Sequence, residues 1–170
     1  SPVLVRNMDW VVPRSTGKHT RLLRFHKGRS SYLSVGVAGM VGVVSAMCEK
    51  WAVVVNQAPI VTSYVGDWWS SWLSIPQHFN SWPVLQRVRA CCDRMPTYDN
   101  LVFHLRMYET TVPFFAHVVG TKDKQHTVVT HTGKESHIRT KQHGLVQTNH
   151  YIAGKYKQYN PVDDDEWVYD

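Results

Sequence analysis

Arg6, Asn7, Met8, Asp9 and Trp10 form the densest polar cluster in an otherwise apolar opening segment. A guanidinium and a carboxylate this close could position and polarise a nucleophile, but on a regular strand Arg6 and Asn7 face opposite sides. Arg6 and Asp9 converge only where a bulge or turn interrupts the strand, and a strand end with an exposed ion pair is the plainer reading. Two amides stand at the ends of apolar runs: Asn56 after Val53-Val54-Val55, and Asn149 after Val146-Gln147-Thr148. Asn is unfavourable inside strands yet suited to donating a hydrogen bond at a strand end, which an oxyanion site requires. Either amide could equally begin a turn.

The remaining reactive side chains carry less. His117, His126, His131, His137, His143 and His150 recur through the last strands without His-x-x-x-His spacing or an acidic residue placed to complete a metal site. They read as surface or satisfied core histidines, and neither metal nor cofactor is expected. Cys48, Cys91 and Cys92 give no disulfide framework, because adjacent Cys91 and Cys92 do not bridge easily, and no Cys-x-x-Cys pair stands ready for zinc. All three read as core or surface thiols.

The elements that must position these groups are legible in outline. Val3 to Val12, Thr20 to Phe25, Tyr32 to Val37, Met40 to Ala46 and Trp51 to Asn56 are β-branched or aromatic runs separated by glycines, a meander of hairpins. Residues 57–81 have no clean period and hold Trp68, Trp69 and Trp72, so they read as a loop or lid; the tryptophans would line an acyl groove or staple the core beneath. From Ser81 the period becomes helical. Ser81 reads as an N-cap with Pro83 in the first turn, and Val84, Leu85, Val88, Cys91 and Cys92 share a face. A second helix follows the cap-like Thr97, from Tyr98 to Glu109 with Leu101, Leu105 and Tyr108 on a stripe, and Pro113 ends it. Strands return at Phe114 to Val119, Thr127 to His131, His137 to Thr140 and Leu145 to Thr148. Strands, two helices, then strands is the order of a layered α+β domain rather than a doubly wound sheet.

The 170 residues suit one domain, and the 43% hydrophobic content with seven tryptophans argues against disorder. Asp163, Asp164, Asp165, Glu166 and Asp170 hold five of the 13 acids, so residues 161–170 form an acidic tail behind a basic body. A basic body favours anionic partners. Nucleic acid is supported by that charge alone, because no dense run of Lys and Arg alternates with aromatics. No apolar run approaches the roughly 20 residues of a bilayer span, and the opening residues are not a signal peptide, so a soluble chain is expected. It opens on Ser rather than Met and stops abruptly at Asp170, which suggests a processed or partial polypeptide.

Together these motifs resemble the acid ceramidase, N-acylethanolamine acid amidase and choloylglycine hydrolase group of N-terminal-nucleophile (Ntn) cysteine hydrolases. Arg6-Asn7-Met8-Asp9-Trp10 matches its Arg-Asn-x-Asp-aromatic motif. Gly36 to Gly42 and Val53 to Asn56 are similar to its Gly-x-x-Gly stretch and Asn-ended strand. Pro113-Phe114-Phe115-Ala116, Val146-Gln147-Thr148-Asn149 and Asp163-Asp164 follow in the family's order. The resemblance implies a single domain over 1–170, an αββα sandwich incomplete at both ends. It implies that an N-terminal cysteine thiolate attacks an amide carbonyl while its own α-amine moves the proton. Arg6 and Asp9 would position that nucleophile, and the backbone amide of Asn56 and side-chain amide of Asn149 would be oxyanion donors, each worth about 3 kcal/mol of barrier.

The nucleophile is the departure: only five residues precede Arg6, and none is a cysteine. Two expectations stand. One is an amide C–N hydrolase domain for an N-acyl amide or lipid-like, ceramide-type substrate, with its nucleophile outside this chain. The other is an inactive homologue serving as a structural or accessory subunit among protein partners in a larger assembly.

Overall fold

Trp51–Gln57 alternates buried and half-buried side chains, the period of a strand covered more deeply on one face than the other. The same pattern recurs along the chain and builds a meander. In the computed structural model, residues 3–6, 15–27, 30–59, 81–140, 144–152, 156–157 and 160 are described. A short helix, α1 (Ser15–Lys18), leads into β1 (Thr20–Lys27), β2 (Ser30–Val37), β3 (Ser45–Met47) and β4 (Trp51–Gln57). Helices α2 (Val84–Arg94) and α3 (Tyr98–Arg106) follow, then β5 (Phe114–Gly120), β6 (His126–His131) and β7 (Ser136–Arg139). The seven strands form one sheet in chain order, each antiparallel to the next.

One face of the sheet carries the main core. The register row Ser34, Ala46, Val53, Val118 and Thr127 is buried along its whole length. Val55, Phe114, Ala116 and Val129 lie on the same side and pack with Val84, Val88, Cys91 and Cys92 of α2 and Leu101 and Leu105 of α3. Each large side chain so buried contributes about 1.5–3 kcal/mol. Polar ties fix the layer: the Tyr32 hydroxyl donates to Asp93 Oδ1 at 2.7 Å, and Trp51 Nε1 donates to the Met95 carbonyl at 3.0 Å. The Thr97 side chain caps α3 by accepting from the Asn100 N–H, worth about 1 kcal/mol.

Several sequence expectations need correction. The four-layer αββα sandwich is not what the described residues form; they make two layers, one sheet with helices on one face. Val3–Arg6 form no strand, and the rest of the expected strand, to Val12, lies outside the described residues. The expected Met40–Ala46 strand shortens to Ser45–Met47 because the chain first docks on α2. There the Val43 N–H donates to the Leu85 carbonyl at 3.0 Å, and Gly42 sits at φ +135° with a built Cβ only 2.6 Å from Leu85 Cβ. Pro83, not Ser81, occupies the N-cap of α2. Helix α3 stops at Arg106, so Tyr108 leaves the buried stripe; its ring instead lies 4.0 Å from the guanidinium carbon of buried Arg87. Residues 145–148 are irregular rather than a strand. Of the expected 57–81 loop, Gln57 belongs to β4, and residues 60–80, with all three clustered tryptophans, lie outside the described residues, as does the acidic tail.

Candidate functional site

The face of the sheet away from the helices is polar where the first is apolar. Its central register row runs Ser45, Val54, His117, Val128, Arg139 across β3 to β7, and cross-strand partners share a face. The next row on this face is Asn56, Phe115, Thr130, His137. Two segments overlie it, one at residues 3–6 and one at residues 144–152.

Arg6 reaches the row from the first segment. Its Nη1 donates to the Val44 carbonyl at 3.0 Å and to Ser45 Oγ at 2.8 Å. Burial lowers the guanidinium pKa from its ordinary value, and the buried Nε has no hydrogen-bond partner among the described residues. Arg139 closes the row at the other end. Its Nη2 donates to the Val146 carbonyl at 2.9 Å and to Gln147 Oε1 at 2.7 Å. Gln147 Nε2 in turn donates to the carbonyls of Thr148, at 2.8 Å, and His150, at 2.6 Å. The residues on either side of Asn149 are thus cinched to one side chain, and that side chain to Arg139.

His117 lies midway, two strands from Ser45 and two from Arg139, or about 10 Å from each. Burial pushes its pKa down to about 4, with the positive charges of Arg139 and Arg6 adding to the effect. The imidazole is neutral above that pH, and its buried Nε2 has no partner among the described residues. His117 is half-buried rather than on the surface. His131 is wholly buried and stacked on Phe114, its Nδ1 accepting from the Gly133 N–H at 3.0 Å; burial lowers its pKa to about 4 against the opposing effect of the Tyr108 backbone.

Of the four site residues expected from the sequence, Arg6 and Asn56 come to this face. Asn56 is half-buried beside Phe115. The Val55 N–H donates to the Val44 carbonyl at 2.8 Å, on the β3 side, so strand alternation turns the Asn56 N–H toward β5 and the ladder. What Asn56 presents to the polar face is its carboxamide rather than its backbone amide. Asn149 is exposed on the overlying segment. That segment is held down by Tyr151, which meets the Phe115 ring edge-on at 5.2 Å and donates its hydroxyl to the Pro59 carbonyl at 2.9 Å. Asp9, like Asp163 and Asp164, lies outside the described residues.

The fold has a counterpart among solved structures. One described as the "Caenorhabditis elegans N-acylethanolamine-hydrolyzing acid amidase (NAAA) ortholog" matches 79% of this chain at a TM-score of 0.65, with 19% sequence identity. At that identity the likeness is one of fold. The chain spans 57% of that amidase's length. No family model matches the sequence, and no curated protein matches it.

None of the three cysteines faces the polar row. Cys91 and Cys92 belong to the core between α2 and the sheet, and Cys48 packs against the same core. Burial pushes the Cys91 thiol up to about 11 and the Cys92 thiol well above the ordinary value, so neither offers a thiolate. Among the described residues no group of three or more His, Cys, Asp or Glu could hold a metal ion, and no helix is long and apolar enough to cross a membrane. Sequence reading missed His117 and Arg139 as a pair. The available signal was the alternation within each strand, but β6 lies between β5 and β7, and only the register reveals that the two residues share a row.

Proposed function

We propose that this chain is the sheet-and-helix body of an N-acyl amide hydrolase whose reacting groups gather on the polar face. The observation that carries the reading is Arg6 clamped on Ser45 and the Val44 carbonyl in line with His117 and Arg139, on a fold shared with an amidase. The nucleophile would be an N-terminal cysteine lying outside residues 1–170. Its thiolate forms a C–S bond with the amide carbonyl, the amine leaves with a proton passed on by the cysteine α-ammonium, and water then cleaves the thioester. Arg6 and Asp9 position that cysteine. The carboxamides of Asn56 and Asn149 donate to the developing oxyanion, the charge that such donors stabilise. The substrate class is an N-acyl amide, lipid-like in its acyl part.

One observation favours a second reading, an inactive homologue acting as an accessory subunit: all three thiols of the chain lie with the core on the helical side. A single experiment separates the two. The native polypeptide is purified, its N-terminal residue and mass are determined, and turnover of a fluorogenic N-acyl amide is measured. An N-terminal cysteine, with turnover that falls about a hundredfold or more in Asn149→Ala, supports the hydrolase. A folded native polypeptide with no turnover overturns it in favour of the subunit.

A further inference from the structure

The polar face opens into a cleft that runs on beyond His117. Beyond His117 the floor continues along β5 to Val119 and along β6 to His126, while Val3 and Leu4 on one side and Gly144 and Leu145 on the other overhang it. The volume is about 490 Å³, within the range of small-ligand sites, roughly 300–1,000 Å³. Val3, Leu4, Val119 and Leu145 give the walls an apolar part, beside the polar Thr121, His126 and Thr127. The far end is the β5–β6 turn, where Lys122 and Lys124 line the mouth with Asp123 between them. Neither lysine is in an ion pair among the described residues, where the ion pair formed is Lys27 with Asp93. At the inner end lie the Nε2 of His117, unpartnered among the described residues, and the row His117 shares with Arg139 and with Ser45, to which Arg6 is bonded.

We infer that this cleft takes an amphiphile with a polar amide at the His117 end and an anionic group at the Lys122–Lys124 mouth, joined by an apolar spacer. The inference rests on the amide-hydrolase reading and names its substrate class: an amide whose acyl part ends in an anion. The spacing follows from the strand. Gly120, the end of β5, is three residues past His117, about 10 Å along the strand, and the lysine turn lies just beyond. A spacer of about 10–15 Å therefore joins the two ends. A plain hydrocarbon tail would meet the walls but leave a net positive charge at the mouth, where two lysines flank one aspartate. A compact anion would satisfy the lysines but leave the walls wet. An amphiphile of this length does both.

The test measures binding, not turnover. The native polypeptide is titrated calorimetrically with the mono-N-methylamide of decanedioic acid, its methyl ester, and the short mono-N-methylamide of butanedioic acid. The long carboxylate is expected to bind about tenfold more tightly than its ester at low salt. That margin is expected to shrink as salt screens the lysines and to vanish in the Lys122→Gln, Lys124→Gln double variant. The lysines are exposed, so the variant keeps its fold, checked by its melting curve. Equal binding of acid and ester, an equal affinity for the short acid, no saturable binding, or a preference that survives the double variant each overturns the inference. Inorganic phosphate that competes as well as the long acid would also overturn it, because the apolar walls would then contribute nothing. If the preference holds but no amide is hydrolysed, the hydrolase reading falls while the anion-terminated cleft stands.

Discussion

Arg139 and Gln147 form a two-step clamp: one guanidinium nitrogen holds the Gln147 carboxamide oxygen at 2.7 Å, and the same carboxamide's nitrogen holds the carbonyls on both sides of Asn149. Arg139→Ala removes the donor to Gln147 and to the Val146 carbonyl. Hydrogen bonds to charged groups contribute about 1.5–3 kcal/mol, and half-burial puts the loss near the lower end. Amide exchange should therefore rise about tenfold or more over residues 146–151 while β5 and β6 keep their protection. Unchanged exchange in that segment would show that Tyr151 alone holds it.

Acid should weaken the fold through two histidines. His117 and His131 each titrate at about 4 in the folded chain, pushed down chiefly by burial, against about 6.5 when unfolded. The unfolded chain binds more protons between those values, so the contribution to stability is fully present above about pH 6.5 and is lost as pH falls toward 4. With both groups acting, the slope approaches 2.7 kcal/mol per pH unit, an upper bound because His117 is only half-buried. Denaturant melts from pH 7 to 4 should show this slope, and His117→Gln should roughly halve it.

Gly42 should be intolerant of any side chain. Its φ of +135° disfavours a Cβ, and the added atom would strike Leu85, including its backbone carbonyl carbon at 2.9 Å. Gly42→Ala is expected to cost more than about 2 kcal/mol. Gly17→Ala, where nothing lies within 4 Å and the residue is exposed in α1, should be neutral or slightly stabilising. Equal effects at the two positions would mean that the approach of the 40–44 segment to α2 is not tight.

The thiols should divide by accessibility. Cys48 is half-buried, whereas Cys91 and Cys92 are buried with pKa values raised. A thiol reagent at pH 7 should modify one cysteine per chain at an appreciable rate and all three after denaturation. Rapid native labelling of Cys91 or Cys92 would reopen them as nucleophiles.

The local order of this chain was present in its residues. The strands over Tyr32–Val37 and Phe114–Val119, the cap at Thr97 and the apolar stripe through Val84, Val88 and Cys91 follow from periods of two and 3.6 that each segment carries by itself. Arg6, Asn56 and Asn149 were singled out by local chemistry in the same way. Which face each residue shares, and with whom, was decided by the tertiary structure. His117 and Arg139 are ordinary in their own segments, and they align with Ser45 only because the strand registers across β3 to β7 bring one residue from each strand into a single row. The fate of the Asn56 backbone amide was settled likewise: it depends on which side of β4 the neighbouring Val55 spends its N–H, and hydrogen bonds between strands are set by residues far apart in the chain.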